Sequence, residues 1–334
     1  MSQTIVITGA SAGVGRALAR LFAARGARIA LIARGQAGLE AAAEEVRSLG
    51  GTALPITLDV ADADGLHAAA ARIEDELGPI DVWINNAMAA VLGEVADTSA
   101  QEFRRVTEVT YLGTVNGTLA ALQRMLPRDR GHVILVGSAL AHRGIPLQAT
   151  YCGAKHAIQG FYESLRCELR HRHSGVTLSI AHLPGLNTTQ FGAVRLHVPC
   201  EPQPVPPIYT PQLAARAIVW LADHPHRGTL WVGGSTALTI IGNRLAPWIA
   251  ERYLARTGYS SQQTDTPAAP DRRDYLESPI DDERDRGTDG PFTDQAHDRS
   301  LQLWASTHRV QLLSAAVAAF GGYGITSRAR AARP

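Results

Sequence analysis

Lysine is almost missing from this chain. Of 32 Lys and Arg residues, Lys155 alone is a lysine. Positive charge is otherwise supplied by Arg, so the retained ammonium marks a position that needs a compact cation with freely rotating donors. Cysteine is scarce: Cys152, Cys167 and Cys200 form no CxxC pair and leave an odd count. That excludes a disulfide framework and fits a reducing, cytoplasmic setting. Net charge is also missing, at +1, so no nucleic-acid footprint is present. No stretch reaches the ~18 apolar residues of a spanning helix, and the opening residues lack the basic and apolar regions of a signal peptide. What the chain does have is 334 residues, 45% of them hydrophobic. These suffice for one large α/β domain with an extension, or for two domains.

Ile5-Val6-Ile7 is a short β-branched run of the kind found in buried parallel strands. Thr8-Gly9-Ala10-Ser11-Ala12-Gly13-Val14-Gly15 follows, and then a helical run from Arg16 to Arg25. Strand, glycine turn and helix in this order are the context of a dinucleotide site. Gly9 permits the tight turn, Gly13 lets backbone approach a pyrophosphate, and Gly15 lets helix and strand pack closely. A second strand, Arg28 to Ala33, ends at Arg34 rather than at the acid that would bind a ribose 2′-hydroxyl. A guanidinium there suits a 2′-phosphate, so NADP(H) is expected over NAD(H). Asp59-Val60 closes a third strand and Asn85-Asn86-Ala87 a fourth; Asp59 lies where it could bond an adenine amino group.

Ser99 to Met125 reads as one long helix, and His132 to Val136 as the fifth strand, with Ser138 at its C-terminal end. Thirteen residues on stands Tyr151-x-x-x-Lys155. On a helix this spacing puts phenol and ammonium one turn apart on one face. The ammonium is expected to lower the phenol's pKa, making the pair a proton donor and acceptor near neutrality. Ser138 could hold a substrate oxygen beside Tyr151. A nucleophilic role for it is discounted, because Gly137-Ser138-Ala139-Leu140 lacks the Gly-x-Ser-x-Gly elbow of hydrolases.

Together the glycine motif, Asp59-Val60, Asn85-Asn86-Ala87, Ser138, Tyr151-x-x-x-Lys155 and Pro184-Gly185 resemble the short-chain dehydrogenase/reductase family over roughly residues 3 to 240. The resemblance implies an α/β Rossmann-type fold of seven parallel strands and hydride transfer between nicotinamide and a carbonyl or alcohol. It implies Tyr151 as acid/base, Ser138 as donor to the substrate oxygen, and Lys155 on the ribose hydroxyls. Gly9, Ser11, Gly13, Val14, Gly15, Arg34, Asp59, Val60, Asn86 and Ala87 would contact the cofactor. Pro184-Gly185-Leu186-Asn187-Thr188 would cover the nicotinamide. A homodimer or homotetramer and a small-molecule partner follow from the same resemblance. Two positions depart from the family. Thr110 stands where many members carry a relay Asn, and Asn187 where a β-branched apolar residue is usual.

Residues 186 to 210 form a proline-rich loop with apolar side chains, which suggests an apolar substrate. The domain reading is a catalytic body over residues 1–255, a flexible polar linker over 256–300, and a helical extension over 301–334. Leu301 to Phe320 is expected to dock as an amphipathic helix. The competing functional readings are a catalytically silent nucleotide-binding regulator and a membrane-associated scaffold. No metal site is expected: the two His-x-His pairs lack supporting carboxylates or cysteines.

Overall fold

The apolar runs pair into one parallel sheet of seven strands: β1 (Thr4–Thr8), β2 (Arg28–Ala33), β3 (Thr52–Thr57), β4 (Val82–Asn85), β5 (Gly131–Ser138), β6 (Val176–Leu183) and β7 (Thr229–Trp231). The computed structural model describes residues 2–312 and 314. The order across the sheet is β7-β6-β5-β4-β1-β2-β3, with every neighbouring pair parallel. Parallel strands are buried on both faces, which is why they read as continuous apolar runs rather than alternating ones. Helices α1 (Gly13–Ala23), α2 (Gln36–Ser48) and α7 (Pro211–Asp223) cover one face. Helices α3 (Ala63–Leu77), α5 (Gly113–Met125) and α6 (Ala149–His171) cover the other. The strand order reverses between β1 and β4, so the crevice outside their C-terminal ends is the natural ligand site of this fold.

The long helix expected over Ser99–Met125 is interrupted. Ser99 and Glu102 form a reciprocal capping box that starts α4 (Ala100–Val106). The chain then widens into a π-helical turn, Thr107–Leu112, before α5. Such turns concentrate at functional sites, and this one carries Thr110.

Beyond β7, α8 (Gly234–Leu245) and α9 (Pro247–Thr257) lead into the region read as a flexible linker. That expectation needs correction, because the segment packs on the body. Its charges find partners far away in sequence: Asp274 with Arg195 at 3.0 Å, Asp298 with Arg216 at 2.8 Å, and Asp285 with Arg16. Leu276 is fully buried in the core beneath the α3/α5/α6 face. Residues 263–267 add an antiparallel pairing with 200–202. Helix α10 (Leu301–Thr307) then docks on its own chain. Leu303 is buried, and Gln302 Nε2 donates to Trp231 O at 3.1 Å on the edge strand β7. Of the other apolar side chains expected to dock, Leu301, Trp304 and Leu312 are exposed, and Leu313, Val317 and Phe320 lie outside the described residues. No helix among the described residues is long and apolar enough to cross a membrane.

Candidate active site

The glycine turn between β1 and α1 is built on two left-handed residues, Gly9 (φ +66°) and Gly13 (φ +54°). A Cβ on Gly15 would stand 2.1 Å from Gly9 O, so only glycine closes this turn. Asn86 locks it from β4. Its Nδ2 donates to Thr8 O at 3.0 Å and Gly9 O at 3.1 Å, while its N–H and that of Ala87 donate to Thr8 Oγ1. Asn85 has a separate structural task, bridging Trp83 and Thr118. The first-turn N–H groups of α1 have no intrahelical acceptors, and they make the helix N-terminus a site for anions. Ser11, Gly13 and Val14 line the cavity above the turn, whereas Gly15 sits behind it as packing.

At the adenosine end, Arg34, Asp59 and Val60 line the same cavity. Burial alone would raise the Asp59 carboxyl. The Ala61 N–H (3.0 Å), Arg105 and Arg34 outweigh it and hold the group below the usual carboxylate range. Arg34 is drawn to the C-terminal segment, donating to the carbonyls of Tyr275, Leu276 (3.2 Å) and Glu277 (3.1 Å). Arg105 Nε joins it on Leu276 O at 3.1 Å.

At the other end stand Ser138, from the end of β5, and Tyr151 and Lys155, from the first turns of α6. The Lys155 ammonium lies 5.5 Å from the centroid of the Tyr151 ring. Its Nζ donates to Val136 O at 2.7 Å, and the side chain is only 2% exposed. Burial lowers its pKa to about 7. Burial also pushes the Tyr151 phenol well above its ordinary value, against a downward pull from the Ser138 hydroxyl. This is opposite to the direction the Tyr–Lys spacing predicts. The physical reason is that a lysine titrating near neutrality brings too little positive charge to offset desolvation of the phenolate.

Thr110 is fully buried and is not among the residues that line the cavity. Its hydroxyl donates to Ala89 O at 3.0 Å and accepts from Ala89 N at 2.9 Å, tying the π-turn to the loop after β4. Pro184 and Thr188 line the cavity, and Thr188 Oγ1 is buried without a partner. Gly185 supplies a backbone acceptor for Tyr209 N–H at 2.9 Å. Asn187 turns its amide toward the C-terminal segment, accepting from Phe292 N–H at 2.9 Å.

Three further residues meet here that the sequence reading did not single out. His182, at the end of β6, is fully buried beneath Ser138, with its Nδ1 3.1 Å from Ser138 O. Tyr275 and Arg286, from the C-terminal segment, line the cavity alongside the glycine turn and Tyr151. His182 sat in an apolar strand run that hides a polar residue. The other two sat in a charged segment with no periodic signal. Among the described residues, no group of three His, Cys, Asp or Glu is arranged to hold a metal ion.

The profile of the short chain dehydrogenase family matches residues 3–197. An uncharacterized oxidoreductase of Bacillus subtilis, YxnA, is 30% identical over 321 residues, covering 95% of this chain and 88% of that protein. Dehydrogenase/reductase SDR family member 7B of Mus musculus is 38% identical over 181 residues, covering 53% of this chain and 56% of that protein. Among solved structures, an alcohol dehydrogenase from Thermococcus sibiricus in complex with 5-hydroxy-NADP superposes with a TM-score of 0.61. It is 25% identical and covers 70% of this chain and 96% of its own.

Proposed function

The chain belongs to the short-chain dehydrogenase family and is an oxidoreductase, and from that premise we propose that it is an NADP(H)-dependent enzyme interconverting a carbonyl and a secondary alcohol on an apolar small molecule. The observation that carries the reading is the meeting of Ser138, Tyr151 and Lys155 in the cavity that the glycine turn also lines. The residues present fit a dinucleotide. The turn tolerates nothing larger than glycine at Gly15, and Thr188 Oγ1 is a buried hydroxyl lacking a partner. When bound, the nicotinamide ring gives or takes the hydride.

The chain's own residues handle the oxygen and its proton. In reduction, the Ser138 hydroxyl donates to the substrate carbonyl oxygen and fixes it beside Tyr151. Tyr151 passes its proton to that oxygen as the carbonyl carbon is reduced, and the phenolate left behind is reprotonated from solvent. In oxidation the phenolate removes the alcohol proton. A phenol whose resting pKa is raised by burial is a willing acceptor, and it is an effective donor only when positive charge stands next to it. Lys155, with its pKa near 7, gains charge when an anionic or hydroxyl-rich ligand occupies the cavity beside it, and then stabilises the phenolate.

NADP(H) is favoured because the end of β2 reads Ala33-Arg34-Gly35, with a guanidinium and no carboxylate. One observation supports the alternative, NAD(H). The Asp281 carboxylate, from the C-terminal segment, is packed directly against Gly35, where an acid would accept ribose hydroxyls. Titrating full-length protein with NADPH and NADH distinguishes these readings. Following oxidation of the preferred cofactor over a panel of ketones, aldehydes and steroids then tests the activity. Binding without turnover on every compound would favour the silent nucleotide-binding regulator instead.

A further inference from the structure

Residues 274–287 form a strap along the cofactor cavity, lining it through Tyr275, Pro279, Ile280, Asp281 and Arg286; it starts on Ala193 and Arg195, and its further anchors are on the nucleotide-binding rim. The carbonyls of residues 275–277 are held by Arg34 and Arg105. Asp281 O accepts from Gly38 N–H at 2.9 Å in the first turn of α2. Asp285 pairs with Arg16, and Gly287 O accepts from Gly13 N–H at 3.2 Å. The strap therefore ends against the turn that faces a dinucleotide's phosphates.

Most cations around that turn are already engaged. Arg16 is held by Glu45 and Asp285, and Arg20 by Glu45. Arg272 is held by Glu201 and by the carbonyls of Phe191 and Val194. Arg273 and Arg284 line an outer depression and not the cofactor cavity. Arg286 differs. It lines the cavity beside Gly13, Val14 and Thr188, and among the described residues no carboxylate lies within 4.0 Å of it. Partial burial disfavours its charged form most; Asp281 favours that form, and Arg284, Arg273 and Arg272 oppose it. A cation crowded by like charges and facing a phosphate-binding turn is complementary to an anion.

We propose that Arg286 is a cofactor-binding residue supplied by the strap, its guanidinium holding the diphosphate of the bound dinucleotide from the side opposite the α1 N-terminus. The inference rests on the dinucleotide reading above but not on the choice between NADP(H) and NAD(H), because both carry the diphosphate. In full-length protein, equilibrium titrations with NADPH, NADH and ADP-ribose should all weaken by about 10-fold in Arg286→Gln, the scale of one charge-assisted hydrogen bond. The affinity of the variant should also depend less on salt than that of the wild type. Arg284→Gln, two residues away along the strap and outside the cavity, should bind all three as the wild type does. Both positions are exposed, so thermal unfolding should confirm intact folds. Unchanged affinity in Arg286→Gln would overturn the proposal, as would a loss confined to NADPH, which would assign Arg286 to the 2′-phosphate. Wild-type protein that binds none of the three would overturn the parent reading together with this one.

Discussion

Replacing Lys155 with Met should make the protein more stable near neutrality, although it removes a residue of the proposed reaction centre. The ammonium is buried, with Val136 O as its hydrogen-bond acceptor and no carboxylate paired with it among the described residues. Its folded pKa is about 7 against an ordinary 10.5. Between these values the unfolded chain binds more protons than the folded one, so stability rises with pH across that window. At pH 8 the mismatch opposes folding by about 3 kcal/mol. Methionine has a similar length and carries no charge, and the bond it forfeits to Val136 O is worth about 1 kcal/mol. The net gain is about 2 kcal/mol at pH 8, or roughly 4–8 °C in melting temperature for a domain of this size. It should vanish near pH 10, where the mismatch has shrunk to about 1 kcal/mol and the bond forfeited to Val136 O cancels it. Melting scans of both proteins from pH 7 to pH 10 measure it. A Met variant that is less stable at pH 8, or a difference that does not change with pH, would refute the reasoning. Stabilisation with loss of activity is the signature of a site that holds an unfavourable charge for function.

Other outcomes follow from the same geometry. Arg34→Asp should lower NADPH affinity relative to NADH, since it removes the guanidinium and adds repulsion toward a 2′-phosphate; comparative titrations of the two cofactors check it. A wild type that prefers NADH would transfer ribose recognition to Asp281. Thr110→Val severs both bonds to Ala89 and should cost about 1–3 kcal/mol of stability, because Ala89's backbone groups stay buried without partners. If activity per folded molecule stays unchanged, Thr110 serves the loop alone and the proton travels another way. His182 is held neutral by burial, its pKa lowered to about 3, so the unfolded chain takes up a proton below pH 6.5 that the folded chain refuses. Stability should therefore fall with acidity from pH 6.5 toward pH 3, by about 1.4 kcal/mol per pH unit from this group. His182→Gln should flatten that slope in acid-unfolding titrations.

The sheet was legible in the sequence because each strand is a self-contained apolar run ended by a turn. Ile5-Val6-Ile7 before Gly9 and Val133-Ile134-Leu135-Val136 before Ser138 need no tertiary context to be read. The glycine turn and the Tyr151–Lys155 spacing were legible for the same reason, since their geometry is set within one or two turns. What stayed hidden depends on partners far along the chain. The polar stretch from 260 to 299 reads as flexible because its composition does not show Arg16, Arg34, Arg105 and Arg216 waiting on the body. From 271 to 299, Leu276, Asp281 and Thr288 are its buried points among the described residues, and only Leu276 is apolar. The direction of the Tyr151 pKa was misread because spacing reports proximity and not burial, and burial dominates at this phenol. The π-turn at Thr107–Leu112 was invisible because no residue in it breaks a helix, and the widening of one turn leaves no mark in composition.

The claim that Tyr151 carries the proton in a dinucleotide-dependent reduction is tested most directly by single-turnover oxidation of bound NADPH with a carbonyl substrate found in the panel, comparing wild type with Tyr151→Phe. Cofactor affinity is measured on the same samples. The account predicts that the variant binds NADPH as the wild type does and oxidises it about 100-fold more slowly or worse. A Phe variant that turns over at close to the wild-type rate would contradict it.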